Sequence, residues 1–224
     1  MLILIATVLL LLDEYGIQRA FYQHFADLPI YESVQGHQRA LAAQFHFTVS
    51  CLLLLVLVPL GYARLFPVRD MHHYGLSLRP GSFHLPIYAL LTVLILPVVW
   101  VASGDPGFAR FYPMYKPVAA SDWLIYEATY LLQFFAVEFF FRGFCLFRLE
   151  RFTGLYAVPI MVIPYALLHI HKPLPEALGS IVAGMVLGYL AIRTRSIWPG
   201  LFLHCIVALS MDTFALFRSG WFGN

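Results

Sequence analysis

The chain has 224 residues, of which 61% are hydrophobic and only 12% charged, with a mean hydropathy of +0.77. Ordinary soluble domains carry about 45–50% apolar and about 25% charged residues, so a soluble globular protein is excluded and lipid must cover much of the apolar surface. Fourteen Lys and Arg against twelve Asp and Glu leave a net charge of +2, spread singly along the chain, which gives DNA or RNA no basic patch to bind.

A hydrocarbon layer of about 30 Å needs roughly 20 helical residues to cross it. The run from Leu2 to Leu12 reads as a first helix, because it lacks a basic leading region and is followed by Asp13-Glu14 where a cleaved signal would place small residues. Longer apolar segments follow near 40–63, 84–103, 120–147, 154–170, 177–192 and 196–217. The expected fold class is therefore all-α, a polytopic membrane bundle of about seven transmembrane helices. The loop 13–39 carries Asp13, Glu14, Asp27 and Glu32 against Arg19 and Arg39, whereas the next loop carries Arg64, Arg69 and Arg79 against Asp70, which makes the first external and the second cytoplasmic. The three cysteines, Cys51, Cys145 and Cys205, stand inside apolar runs without metal-ligand spacing and read as packing residues. The Pro- and Gly-bearing loop 104–118 separates N-terminal transmembrane helices and loops, 1–118, from a bundle at 119–224 that holds the chemistry.

Ionisable groups inside spanning segments cost several kcal/mol unless paired or facing a water-filled cavity, so each is a functional candidate. Glu138 and Arg142 stand in AVEFFFRGF, His169 in PYALLHIHKP, His204 in WPGLFLHCIV and Asp212 in ALSMD. Counted from the cytoplasmic loops, Glu138, His204 and His169 reach depths of roughly 15, 14 and 20 Å, with Asp212 at roughly 25 Å. Glu127 and His46 are nearer segment ends or lone and read as interface or packing residues.

Glu138 and Arg142 are spaced i, i+4, which lets the guanidinium reach the carboxylate on one helix face, and a buried structural ion pair is the plain reading of these two alone. Imidazole beside a carboxylate adds another: the two can deprotonate a water for attack on a carbonyl while a second imidazole donates to the developing oxyanion. Zinc is disfavoured, since HExxH is absent and the ligands would come from three separate helices, and no cofactor is expected. A serine nucleophile lacks its GxSxG turn. Ser180, Gly184 and Gly188 form a small-xxx-small ridge whose expected role is close helix packing.

These residues resemble those of the CAAX-protease and bacteriocin-processing (CPBP) family of intramembrane glutamic endopeptidases, over roughly residues 120–212. The resemblance is carried by Glu138-xxx-Arg142-Gly143 against EExxxRG, by Tyr165-xxx-His169 against FxxxH, and by Arg195-Ser196-Ile197 followed by His204 against the third motif. It implies that a glutamate and His169 activate water, that His204 stabilises the oxyanion, and that the substrate is a membrane-embedded or lipidated protein or peptide. It also implies a multi-pass location in a membrane, prokaryotic by analogy with the bacterial relatives. The chain departs from the pattern at two slots: Val137 replaces the first glutamate and Ala208 the asparagine after His204. Adjacent helical residues point about 100° apart, so Glu138 does not simply fill the place of residue 137. Glu138, Glu176 in the HKPLPE turn, and Asp212 are the candidate carboxylates. A catalytically inactive membrane scaffold and a proton-coupled transporter are the alternatives, the second disfavoured by the lack of an inverted repeat.

Overall fold

The computed structural model describes residues 8–10, 37–67, 74–77 and 85–223. Residues 8–10 are helical, and the rest of the expected first helix and of the charged loops on either side of residues 37–67 lies outside the described residues. In chain order the helices are α1 (His37–Leu52), α2 (Val58–Leu65), α3 (Leu85–Ala102), α4 (Pro106–Phe111), α5 (Ala120–Glu138), α6 (Leu146–Thr153), α7 (Ala157–Leu167), α8 (Leu174–Thr194) and α9 (Trp198–Arg218). Among the described residues there is no strand, and the protein is an all-α polytopic membrane protein. Among the described residues four helical stretches are long and apolar enough to cross a bilayer, Gln38–Leu65, Ala120–Leu167, Leu174–Thr194 and Trp198–Arg218, and Pro86–Ala102 is a shorter apolar helix. The expected segment 120–147 and residues 154–167 of the expected 154–170 fall in the second stretch, which turns at Gly154 between α6 and α7.

Two π-helical stretches interrupt these spans, Leu53–Leu57 between α1 and α2 and Phe139–Cys145 between α5 and α6. Pro59 accounts for the first. It has no N–H, and its ring crowds the carbonyl four residues back, that of Leu55, so the helix widens there. The second has no proline. Phe139, Phe140, Phe141 and Phe144 are all fully buried, as expected of a helical segment that is apolar on every face.

The described residues form two compact units, one of residues up to 68 with 115–140, the other of residues from 69 to 114 with 141 onward. In the first unit α5 packs along α1. Thr48 Oγ1 donates to the Thr129 carbonyl at 3.0 Å and Gln44 Nε2 to Gln133 Oε1 at 3.3 Å. Lipid offers no hydrophobic drive between helices, so such bonds, worth on average about 0.6 kcal/mol each, hold pairs together. Asp122 closes the N-terminus of α5, its carboxylate accepting from the amides of Ala119 (2.7 Å) and Val118 (2.9 Å) and from the Tyr115 hydroxyl (2.8 Å).

In the second unit α7 lies against α8, and α3 against α9. The seam of α7 and α8 is close because α8 presents glycine: a Cβ on Gly184 would come 2.9 Å from Val162 Cγ2 and 3.1 Å from Tyr165 Cδ1, and one on Gly188 3.0 Å from Met161 Cε. The small-residue ridge thus serves the close packing expected of it. At the far end of α9, Arg218 donates to Ser103 Oγ (2.7 Å) and the Trp100 carbonyl (2.8 Å), fastening α9 to the end of α3. The turn between α8 and α9 is held by residues 74–77: Ile197 N donates to the Gly75 carbonyl (2.8 Å), Trp198 Nε1 to the Leu76 carbonyl (2.9 Å) and Ser196 Oγ to the Ser77 carbonyl (2.9 Å). Gly75 has φ +72°, and a Cβ there would meet Phe147 Cε2 at 2.7 Å and Ile197 Cγ2 at 2.8 Å, so both conformation and space require glycine.

Candidate active site

His169 follows the last turn of α7. The helix ends at Leu167, before Pro173 opens α8, and the chain between them is a short run of turns. There the His169 ring returns along its own helix, Nδ1 standing 3.2 Å from the Tyr165 carbonyl oxygen. A carbonyl only accepts, so Nδ1 carries the proton and Nε2 carries the lone pair. Burial, together with the charges of His204, Lys172 and Arg142, pulls this imidazole down to about 4, although the bond to Tyr165 works the other way. At neutral pH the ring is therefore neutral, the form that takes a proton.

Tyr165 joins His169 to a cation. Its ring centroid is 5.0 Å from that of His169, and the Arg142 guanidinium carbon sits 4.1 Å over its face. Arg142 is 1% exposed, and a cation over an aromatic face is worth more when water is excluded. His204 is half-buried on α9, near enough for its charge to act on His169.

Two of the candidate carboxylates lie together in a second cluster. The Tyr112 hydroxyl stands 2.9 and 2.8 Å from the two oxygens of Glu176, and accepts from Lys172 Nζ at 3.0 Å. Lys172 also lies 3.7 Å from Glu176 and 4.5 Å over the Phe111 ring. Asp212, 1% exposed, accepts from the backbone amide of Met114 at 3.1 Å. Burial lowers the ammonium pKa of Lys172, against the opposing pull of Glu176 and Asp212.

The second unit thus brings Arg142, His169 and His204 into one neighbourhood and ties Glu176 and Asp212 into the Lys172 cluster. Glu138 belongs to the first unit. It is the last residue of α5 and is fully buried, at the point where α-helical spacing gives way to the π-helical stretch. Single π turns inside α-helices are frequent at functional sites. Val137 and Ala208, which stand in the two departing motif slots, are buried apolar residues. Among the described residues no group of three or more His, Cys, Asp or Glu side chains is placed to hold a metal ion.

Sequence reasoning did not find Tyr112 or Lys172 as site residues. The i, i+4 spacing of Lys172 and Glu176 was a usable signal, whereas nothing in the local sequence marks Tyr112. Arg195 and Ser196 of the third motif have structural roles here. Arg195 adopts a left-handed conformation that ends α8 and pairs with Glu150 through Nη2 at 2.8 Å, while Ser196 and Ile197 receive residues 75–77.

The family model described as type II CAAX prenyl endopeptidase Rce1-like matches residues 119–210. No curated protein and no solved structure matches the chain. The matched region takes in Glu138, Arg142, Tyr165, His169, Glu176 and His204, within a polytopic membrane protein. Over residues 119–210 the chain is similar to the type II CAAX prenyl endopeptidases.

Proposed function

We propose that the protein is an intramembrane endopeptidase that hydrolyses a peptide bond of a lipidated or membrane-embedded protein, with residues 119–224 forming its catalytic half. The observation that carries this reading is the hydrogen bond from His169 Nδ1 to the Tyr165 carbonyl, which aims a neutral imidazole with Nε2 as proton acceptor. His169 Nε2, with a carboxylate, takes a proton from water. The hydroxide attacks the scissile carbonyl, and His204 donates to the oxyanion that forms. The oxyanion then collapses, the C–N bond breaks and the proton held at His169 passes to the leaving amine, so that water is divided between the two products and no outside reactant is needed.

Glu138 is the proposed carboxylate. The competing acids are committed elsewhere, Glu176 to Tyr112 and Lys172, and Asp212 to the Met114 amide. Arg142, i+4 from Glu138 in the sequence, is a buried cation on the face of Tyr165. The second reading, a membrane scaffold without turnover, is favoured by apolar Val137 and Ala208 in slots that family members fill with glutamate and asparagine.

The test is cleavage by purified protein of peptides bearing an isoprenoid on a cysteine near the C-terminus, and of the same peptides without it, read by mass spectrometry. Release of a C-terminal fragment by the wild type and not by His169→Ala supports the peptidase. Binding of the peptides with no release by the wild type supports the scaffold.

A further inference from the structure

We infer that Tyr165 positions both His169 and Arg142 for the reaction, and that Gly184 of α8 fixes where the Tyr165 ring sits; this inference rests on the peptidase reading above. Four contacts converge on this one residue. Its carbonyl oxygen receives His169 Nδ1 at 3.2 Å, its ring centroid lies 5.0 Å from the imidazole, and its face carries the Arg142 guanidinium at 4.1 Å. The ring also makes a T-shaped contact with Phe141, centroids 5.4 Å apart. The residue is 2% exposed, so the ring is packed within the protein on nearly every side.

The remaining side is set by α8. A Cβ on Gly184 would approach Tyr165 Cδ1 at 3.1 Å and Cε1 at 3.4 Å, so even one methyl obliges the ring that carries Arg142 and faces His169 to give by a few tenths of an ångström. Gly188, one turn on, makes the same kind of close approach to Met161 and Val158 and to no part of the site. Gly179, on the same helix, faces open space, and a Cβ there meets nothing within 4 Å. Three glycines of one helix therefore separate helix propensity, seam packing and ring position. Tyr165 is a positioning residue in this account, since it acts through the groups it holds.

The experiment compares Gly179→Ala, Gly184→Ala and Gly188→Ala in the full-length protein, reading kcat and KM on the peptide, melting temperature, and the ring resonances of His169 by 1H–13C NMR. Gly184→Ala is expected to lower kcat roughly 10- to 100-fold with KM little changed, as for a displaced catalytic group. It is also expected to shift the His169 resonances, because the imidazole lies in the ring current of Tyr165. Gly179→Ala and Gly188→Ala keep both at wild-type values, whatever Gly188→Ala does to melting. Adding Val162→Ala to Gly184→Ala removes the 2.9 Å contact with Val162 and should restore melting without restoring kcat or the resonances. Wild-type kcat and unshifted His169 resonances in Gly184→Ala overturn the inference, as does full recovery of kcat on adding Val162→Ala. Shifted resonances in a protein whose wild type cleaves nothing support the positioning and sink only the peptidase reading.

Discussion

Tyr112 and Glu176, 64 residues apart in the chain, meet hydroxyl to carboxylate at 2.8 and 2.9 Å, with Lys172 donating to the same hydroxyl at 3.0 Å. Such a network occupies a carboxylate: both Glu176 oxygens face the Tyr112 hydroxyl and Lys172 stands beside them, which takes up lone pairs that a general base would offer to water. Glu176→Gln should therefore lower stability by about 1 to 3 kcal/mol, the cost of a broken charged hydrogen bond, with turnover little changed. Melting and peptide cleavage measured on one preparation check this, and a stably folded Glu176→Gln protein without activity would transfer the base to Glu176.

His169→Ala and His204→Ala should each lower kcat by about 10²- to 10⁴-fold, the range for lost acid–base or oxyanion groups. Both histidines are only half-buried, so folded yield in detergent should stay near that of the wild type. Equal activity in the two variants and the wild type, measured at matched folded concentration, would remove both from the mechanism.

Glu138→Gln and Asp212→Asn are expected to separate chemistry from structure. In Asp212→Asn the side-chain amide oxygen would still accept from the Met114 backbone N–H, so this variant should keep activity and most of its stability. Glu138→Gln should abolish cleavage while the fully buried side chain keeps its shape and the melting temperature falls little. Loss of several kcal/mol of stability on Glu138→Gln would instead mark it as the partner of a buried cation.

The pH dependence follows from His169, whose pKa is lowered from 6.5 to about 4. Its neutral form persists well below neutrality, so kcat/KM should hold down to about pH 5 and fall as pH drops toward 4. The unfolded chain protonates this imidazole near 6.5 and the folded chain only near 4, so the contribution to stability is full above pH 6.5 and is lost as pH falls through this window. A pH–rate profile whose acid limb is centred near 6.5 would show that His169 is not held in this environment.

The spans were legible because hydropathy and length alone specify a transmembrane helix, and 177–192 and 196–217 fall within or close to α8 and α9. The Gly184 and Gly188 ridge was legible for a similar reason: a small residue every fourth position lies on one helix face and admits a neighbouring backbone. The π-helical stretch after Glu138 was not, because FFFRGFC carries no proline, and its lone Gly143 does not by itself specify a π turn. Tyr112 with Glu176, and residues 75–77 with 196–198, were equally hidden, since each pairing joins positions remote in the chain and leaves no periodic trace. The acids illustrate the limit: sequence put Glu138 first, with Glu176 and Asp212 as substitutes, and gave no sign of the bonds that the last two make to Tyr112, Lys172 and the Met114 amide.

The fastening of the α8–α9 turn by Gly75, Leu76 and Ser77 bears on how the protein can be divided. Three hydrogen bonds reach back about 120 residues, from Ser196, Ile197 and Trp198 to a short segment that lies upstream of the family-matched region. A fragment starting at residue 119 would carry every motif residue, yet it would lack the chain that seats Ile197 and orders the entry to the helix bearing His204. Co-expression with residues 1–118 supplied as a separate polypeptide, rather than simple truncation, is the form in which such a fragment should retain its turn.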